Sequence, residues 1–125
     1  MIAIKAILMQ FLWFYRIDFP MELFPKQLTY KKFEQGAEVG KRHLSQQEYE
    51  SVKGLFSKYK NGWRYDMVSY APSHIYTSPE MNINCGGNRL VVNFAQTDKR
   101  WVQVSTEITA GSCPTFKIIE DEKIR

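Results

Sequence analysis

The sequence predicts an α+β domain: an antiparallel β-meander of four to five strands with one amphipathic helix, about residues 46–60, packed on one face. Three observations predict it. The run from Met81 to Ile108 alternates in hydropathy and is interrupted at Gly86-Gly87 and at Thr97-Asp98-Lys99. Residues 45–62 set apolar side chains at helical spacing between a serine and an Asn-Gly stop. The two cysteines, Cys85 and Cys113, stand beside the first turn of the meander and just past its last strand.

Along the chain, Met1 to Tyr15 is strongly apolar, with Lys5 near its start. That pattern resembles the n- and h-regions of a signal peptide, and the stretch is too short for a standard membrane-spanning helix. No small-x-small cleavage site follows; Arg16, Asp18, Phe19 and Pro20 come instead. Three readings stay open: a weak or uncleaved export signal, a buried helix or strand, and a start site placed too early, with Met21 the true beginning. The working division is an apolar N-terminal segment, 1–20, and a single domain, 21–125. The first segment also offers a peripheral membrane contact.

Pro25 to Val39 carries Leu28, Tyr30, Phe33 and Ala37 at a spacing compatible with a short helix, weakened by Gly36 and Gly40. Gly40 to Leu44 reads as a basic connector. Lys41-Arg42-His43 is then a solvated loop, or a contact for lipid headgroups or an acidic partner surface.

Ser45-Gln46-Gln47-Glu48 is a capping box, in which serine and glutamate each satisfy one orphan amide. Tyr49, Val52, Leu55, Phe56 and Tyr59 form one helical stripe, and Gly62 ends it as a C′ glycine does. Gly54 costs the helix about 1 kcal/mol relative to alanine, which suggests a close packing contact there.

Trp63 to Tyr70 reads as a strand. Trp63, Tyr65 and Met67 share one face; Arg64, Asp66, Val68 and Tyr70 share the other. Pro72 ends it, and Ser73 to Ser78 is a further short strand ended by Pro79. In the meander, Leu90, Val92 and Phe94 share a face, as do Val102, Val104, Thr106 and Ile108. Following the strands up and back brings Cys113 to the end of the sheet where Cys85 lies. A Cys85–Cys113 disulfide is therefore expected if the protein is exported, and two free thiols if it is cytosolic. Glu120 to Arg125 is a short charged tail.

The net charge is +4, and residues 1–62 hold ten Lys/Arg against six Asp/Glu, while 63–125 hold seven of each. A nucleic-acid-binding sheet would carry the charge itself, so the neutral β half argues against nucleic acid as a partner. Two histidines and two cysteines without C-x-x-C or H-x₃-H spacing support no metal site, although His43, His74, Cys85 and Cys113 make four arithmetically. Cys85 with His74 is a conceivable nucleophile pair, against a stronger scaffold reading for Cys85. There is no G-x-S-x-G elbow, and Gly86-Gly87 lacks the lysine and helix of a phosphate loop. Asp66, Glu80 and Glu107 are carboxylates whose mutual distances the sequence does not fix. No enzyme activity and no cofactor is expected.

What remains is an aromatic and arginine-rich surface. Trp63, Tyr65, Tyr70, Tyr76 and Trp101 are too many for one small core, and Tyr, Trp and Arg are the residues enriched in binding hot spots. Trp63 and Trp101 read equally as core residues. The expected contact surface comprises Arg64, Tyr70, Tyr76, Arg89, Arg100 and Trp101. In size and layout the chain resembles small exported bacterial proteins that neutralise another protein, such as immunity or inhibitor proteins. The expectation is a noncatalytic, periplasmic or secreted protein-binding module. The alternatives are a cell-envelope domain that binds glycan or lipid, and a cytoplasmic nucleic-acid binder.

Overall fold

Seven antiparallel strands form one sheet in the computed structural model, which describes residues 16–65 and 73–117. They are β1 (Thr29–Glu34), β2 (Ala37–His43), β3 (Arg64–Tyr65), β4 (His74–Ser78), β5 (Met81–Gly86), β6 (Arg89–Ala95) and β7 (Trp101–Glu107). Their spatial order is β2-β1-β4-β5-β6-β7-β3. Among the described residues, one helix, α1 (Gln46–Lys58), packs on the sheet, and a 3₁₀ turn covers Met21–Leu23.

The meander stands as read, with its first turn one residue later. Gly86 pairs with Arg89, so the two-residue turn is Gly87-Asn88, and Gly87 takes φ 58°. A positive φ at the first central position is what a primed hairpin turn requires, and glycine adopts it at no steric cost. The short helix expected over 25–39 is instead the β1–β2 hairpin. Gln35 and Gly36 both take positive φ, 52° and 79°, between the paired residues Glu34 and Ala37. The basic connector at Lys41-Arg42-His43 is the end of β2, a strand at one edge of the sheet.

α1 forms as its sequence requires. The Glu48 amide donates to Ser45 Oγ at 3.2 Å, and the Ser45 amide donates to Glu48 Oε1 at 2.9 Å. Tyr49, Val52, Leu55 and Phe56 are buried against the sheet. Gly54 is exposed, and a Cβ built on it would meet nothing within 4 Å. It therefore marks no close contact, contrary to expectation.

Aromatic rings fill the space beneath α1. Phe56 stacks on Trp63 with centroids 5.6 Å apart, and Phe19 lies 4.7 Å from Phe56 and 4.9 Å from Trp63. Phe24 adds an edge contact to Phe56. The Trp63 indole N–H donates to the Tyr59 carbonyl, so this fully buried tryptophan is a core residue. Main-chain bonds hold the segment that carries Phe19: Ile17 and Trp63 exchange two, and Phe19 N donates to Lys60 O. Residues 16–20 thus belong to the folded body, and a boundary at residue 21 would strip Phe19 from the core. Residues 1–15, where the export-like stretch lies, fall outside the described residues.

A second cover completes the same face. Cys113 is bonded to Cys85 on β5, with Cα atoms 5.7 Å apart. From there the chain crosses β4, β1 and β2 as a strap. The Tyr76 hydroxyl donates to the Pro114 carbonyl, and Phe116 sets its ring edge-on to Tyr30 at 5.3 Å. Arg42 Nε donates to the Lys117 carbonyl at 2.7 Å. The same guanidinium grips Glu48 at the start of α1, with Nη1 2.8 Å from Oε1 and Nη2 on Oε2. Arg42 is therefore a structural clamp.

Two outcomes test this account. Serine at both Cys85 and Cys113 is expected to keep the sheet but lower unfolding stability by about 3–4 kcal/mol, measured by urea titration. A loss under about 1 kcal/mol would mean that Phe116 and Arg42 hold the strap without the bridge. Arg42 pulls the Glu48 carboxyl down from 4.5 to about 2. The stability this contributes is complete above the unfolded value and lost as pH falls from 4.5 toward 2. Glu48→Gln should cost about 1–2 kcal/mol at neutral pH and flatten that acid limb.

Candidate interaction surface

The pairing register decides which expected surface residues share a face. Trp101, Gln103, Ser105 and Glu107 point away from α1, with Trp101 opposite Ala95 and Glu107 opposite Arg89. Trp101 is 52% exposed, the exposed large hydrophobic residue among those described. Arg100 precedes it in the β6–β7 turn, where Lys99 takes φ 68°. The Arg100 guanidinium lies 3.2 Å from Asp98, and its amide donates to the same carboxylate.

The other described members lie elsewhere. Arg89 sits at the far end of β6, about 20 Å along the strand from Trp101. Arg64 is on edge strand β3 opposite Ser105, half-buried. Tyr76 is fully buried beneath the strap, so it belongs to the core and not to a contact surface. Its place on the helix-facing side of a central strand leaves it no route to solvent. Tyr70 lies outside the described residues. Of the five described, Arg100 and Trp101 stand together.

The face away from α1 is also buried at its centre. Ile75, Asn84, Val91 and Ser105 are cross-strand neighbours in one row and all are buried. Asn84 Oδ1 has no hydrogen-bond partner among the described residues. The next row toward the β6–β7 turn is polar: Thr29, Thr77, Asn82, Asn93 and Gln103.

A feature the sequence did not show lies on the helix side of the same turn. A groove of about 550 Å³ opens between residues 17–23 and the turn. Ile17, Leu23, Tyr65 and Phe94 give it an apolar floor, and Asp18, Glu22 and Asp98 stand around it. Asp18 and Glu22 belong to a stretch far from the turn in sequence; the Ile17–Trp63 bridge, the Phe19 amide on Lys60 and the Phe19 ring beside Phe94 bring them there.

The described residues weighed for chemistry are engaged elsewhere or stand apart. His74 pairs with Cys85 across β4 and β5, as a nucleophile pair would need, but Cys85 is consumed in the disulfide. The His74 imidazole instead meets the Tyr30 hydroxyl at 2.8 Å. Burial, reinforced by the nearby Lys32 charge, pushes its pKa below 6.5. Burial likewise drives the Tyr76 hydroxyl far above its usual range. Glu80 and Glu107 lie at opposite ends of the β5–β6–β7 ladder, and Asp66 is outside the described residues.

No family model, curated protein or solved structure matches the chain. Function must be argued from these surfaces.

The His74 geometry gives a pH test. Its folded value lies below the unfolded 6.5, so the unfolded chain takes up the proton first as pH falls. Stability should therefore be full above pH 6.5 and decline below it, and His74→Gln should remove that part of the decline. Titration of the imidazole by NMR with a midpoint at or above 6.5 would contradict the burial argument.

Proposed function

We propose that this protein is a small exported, noncatalytic protein-binding module of the immunity or inhibitor type, acting by occupying a partner protein's surface. The observation that carries the reading is Trp101. It stands in water on β7, a strand laddered to β6 along its whole length, so the backbone beneath it is fixed. An aromatic side chain with few rotors on a rigid strand gives contact area at low entropic cost. Roughly 100 Å² of that side chain remains to be buried, worth about 2–3 kcal/mol on contact. Arg100, beside it, supplies the residue type that most often joins tryptophan in hot spots. The disulfide fits an oxidising compartment, which supports export.

A specific observation favours a second reading. The hydroxyl and amide row Thr29, Thr77, Asn82, Asn93 and Gln103 shares its face with Trp101. Amides that bond hydroxyl pairs and an indole that stacks on a sugar ring are the chemistry of glycan binding. Thermal stabilisation by envelope glycans, with no protein partner recovered, would favour this reading over the first.

The test of the first is affinity capture from the periplasmic or secreted fraction of the native host. A stoichiometric partner is expected with the natural chain. Trp101→Ala should weaken its binding at least about tenfold while changing unfolding stability by less than about 0.5 kcal/mol. Recovery of no stoichiometric partner overturns the proposal.

A further inference from the structure

We infer that the groove between residues 17–23 and the β6–β7 turn receives an arginine or lysine side chain of the partner protein, an inference that rests on the protein-binding reading above. The groove is built for a side chain that is apolar along its stem and cationic at its tip. Its floor is apolar: Phe94 is buried, and Ile17, Leu23 and Tyr65 are half-buried around it. The floor is fixed in place, because Ile17 is bonded to Trp63 through both its amide and its carbonyl.

Charge then selects the occupant. Asp18 and Glu22 are exposed beside the floor and make no ion pair among the described residues. Asp98 across the groove is neutralised by Arg100. The chain carries a net charge of +4, so two uncompensated carboxylates beside one groove run against its overall sign. An anionic occupant would be repelled, and a purely apolar one would desolvate carboxylates without recompense. A metal ion needs several converging ligands, and among the described residues no group of three His, Cys, Asp or Glu is so placed. A guanidinium or ammonium satisfies the carboxylates while its methylene stem lies on Leu23 and Tyr65, as long basic side chains do over apolar surface.

The position fits the proposed function. The groove lies on the helix side of the β6–β7 turn and Trp101 on the opposite side. A partner that straddles the turn would meet both, with an aromatic contact on one face and a basic anchor in the other.

The experiment is an NMR titration of the full ¹⁵N-labelled chain with acetyl-Gly-Arg-Gly-amide. The control is the same tripeptide with citrulline, which has arginine's shape without its charge. Expected are saturable shifts at Leu23, Tyr65, Gln96 and Thr97. Binding should be at least fivefold weaker for the citrulline peptide, and the arginine preference should vanish in an Asp18→Asn, Glu22→Gln double variant. Both residues are exposed, so that variant should fold. No saturable binding, equal binding of the two peptides, or an unchanged preference in the double variant overturns the groove assignment, even if Trp101-dependent capture succeeds. A clear arginine preference without a captured partner overturns the protein-binding reading and leaves the groove as a site for a basic group.

Discussion

A single short helix cannot cover a seven-stranded sheet, and the rest of the architecture answers that constraint. A helix of 13 residues is about 20 Å long and 10 Å wide. Seven strands side by side span roughly 30 Å. Much of the helix-facing side would therefore stay wet if α1 were its only cover. Among the described residues, two irregular segments extend this cover. Residues 16–24 insert Phe19 and Phe24 under the helix, and residues 113–117 lie across β4, β1 and β2. Apart from the 3₁₀ turn at Met21–Leu23, neither has a ladder or helical hydrogen-bond pattern of its own, so each is tied down at discrete points. The first is tied by the Ile17–Trp63 bridge and the second by the disulfide, the Tyr76 hydroxyl and Arg42.

Arg42 matters because it joins three pieces that are otherwise separate in the fold. It sits on an edge strand, and its planar fork meets the two carboxylate oxygens of Glu48 while Nε reaches the strap. The Glu48 carboxylate also closes the helix cap, so one anion serves the helix start and the sheet edge together. A lysine could not hold this geometry, since its ammonium offers no fixed fork. The basic run Lys41-Arg42-His43 is thereby divided. Arg42 is committed to the scaffold. His43 is bonded to Thr29, and Lys41 faces Lys31 across the hairpin.

These ties bear on function through rigidity. The β6–β7 turn projects from two strands whose inner face is packed in the core, and whose outer face is buried at Val91 and Ser105. Under the protein-binding function proposed above, Trp101 and the acidic groove would need little ordering on contact. Most of what binding gains at this end can appear as affinity. The disulfide acts at a distance from this turn: it anchors the cover over β4 and β1.

The legible parts of this fold were those set by short-range rules. The capping box, the helical stripe, the alternation of β5 to β7 and the cysteines at one sheet end all follow from periodicity, turn chemistry and strand direction. The β1–β2 hairpin was missed because Gln35-Gly36 is a weak turn signal. Tyr30 and Phe33 also fit helical spacing as well as they fit opposite faces of a strand. Long-range facts had no local signal. That Tyr76 is roofed by the strap and that Arg42 is a clamp both depend on partners remote in sequence. The sequence by itself determined the fold class and the helix, and brought the two cysteines to one end of the sheet. Only the tertiary structure decided which aromatics face water and which carboxylates meet, because exposure is set by what the rest of the chain lays over a residue.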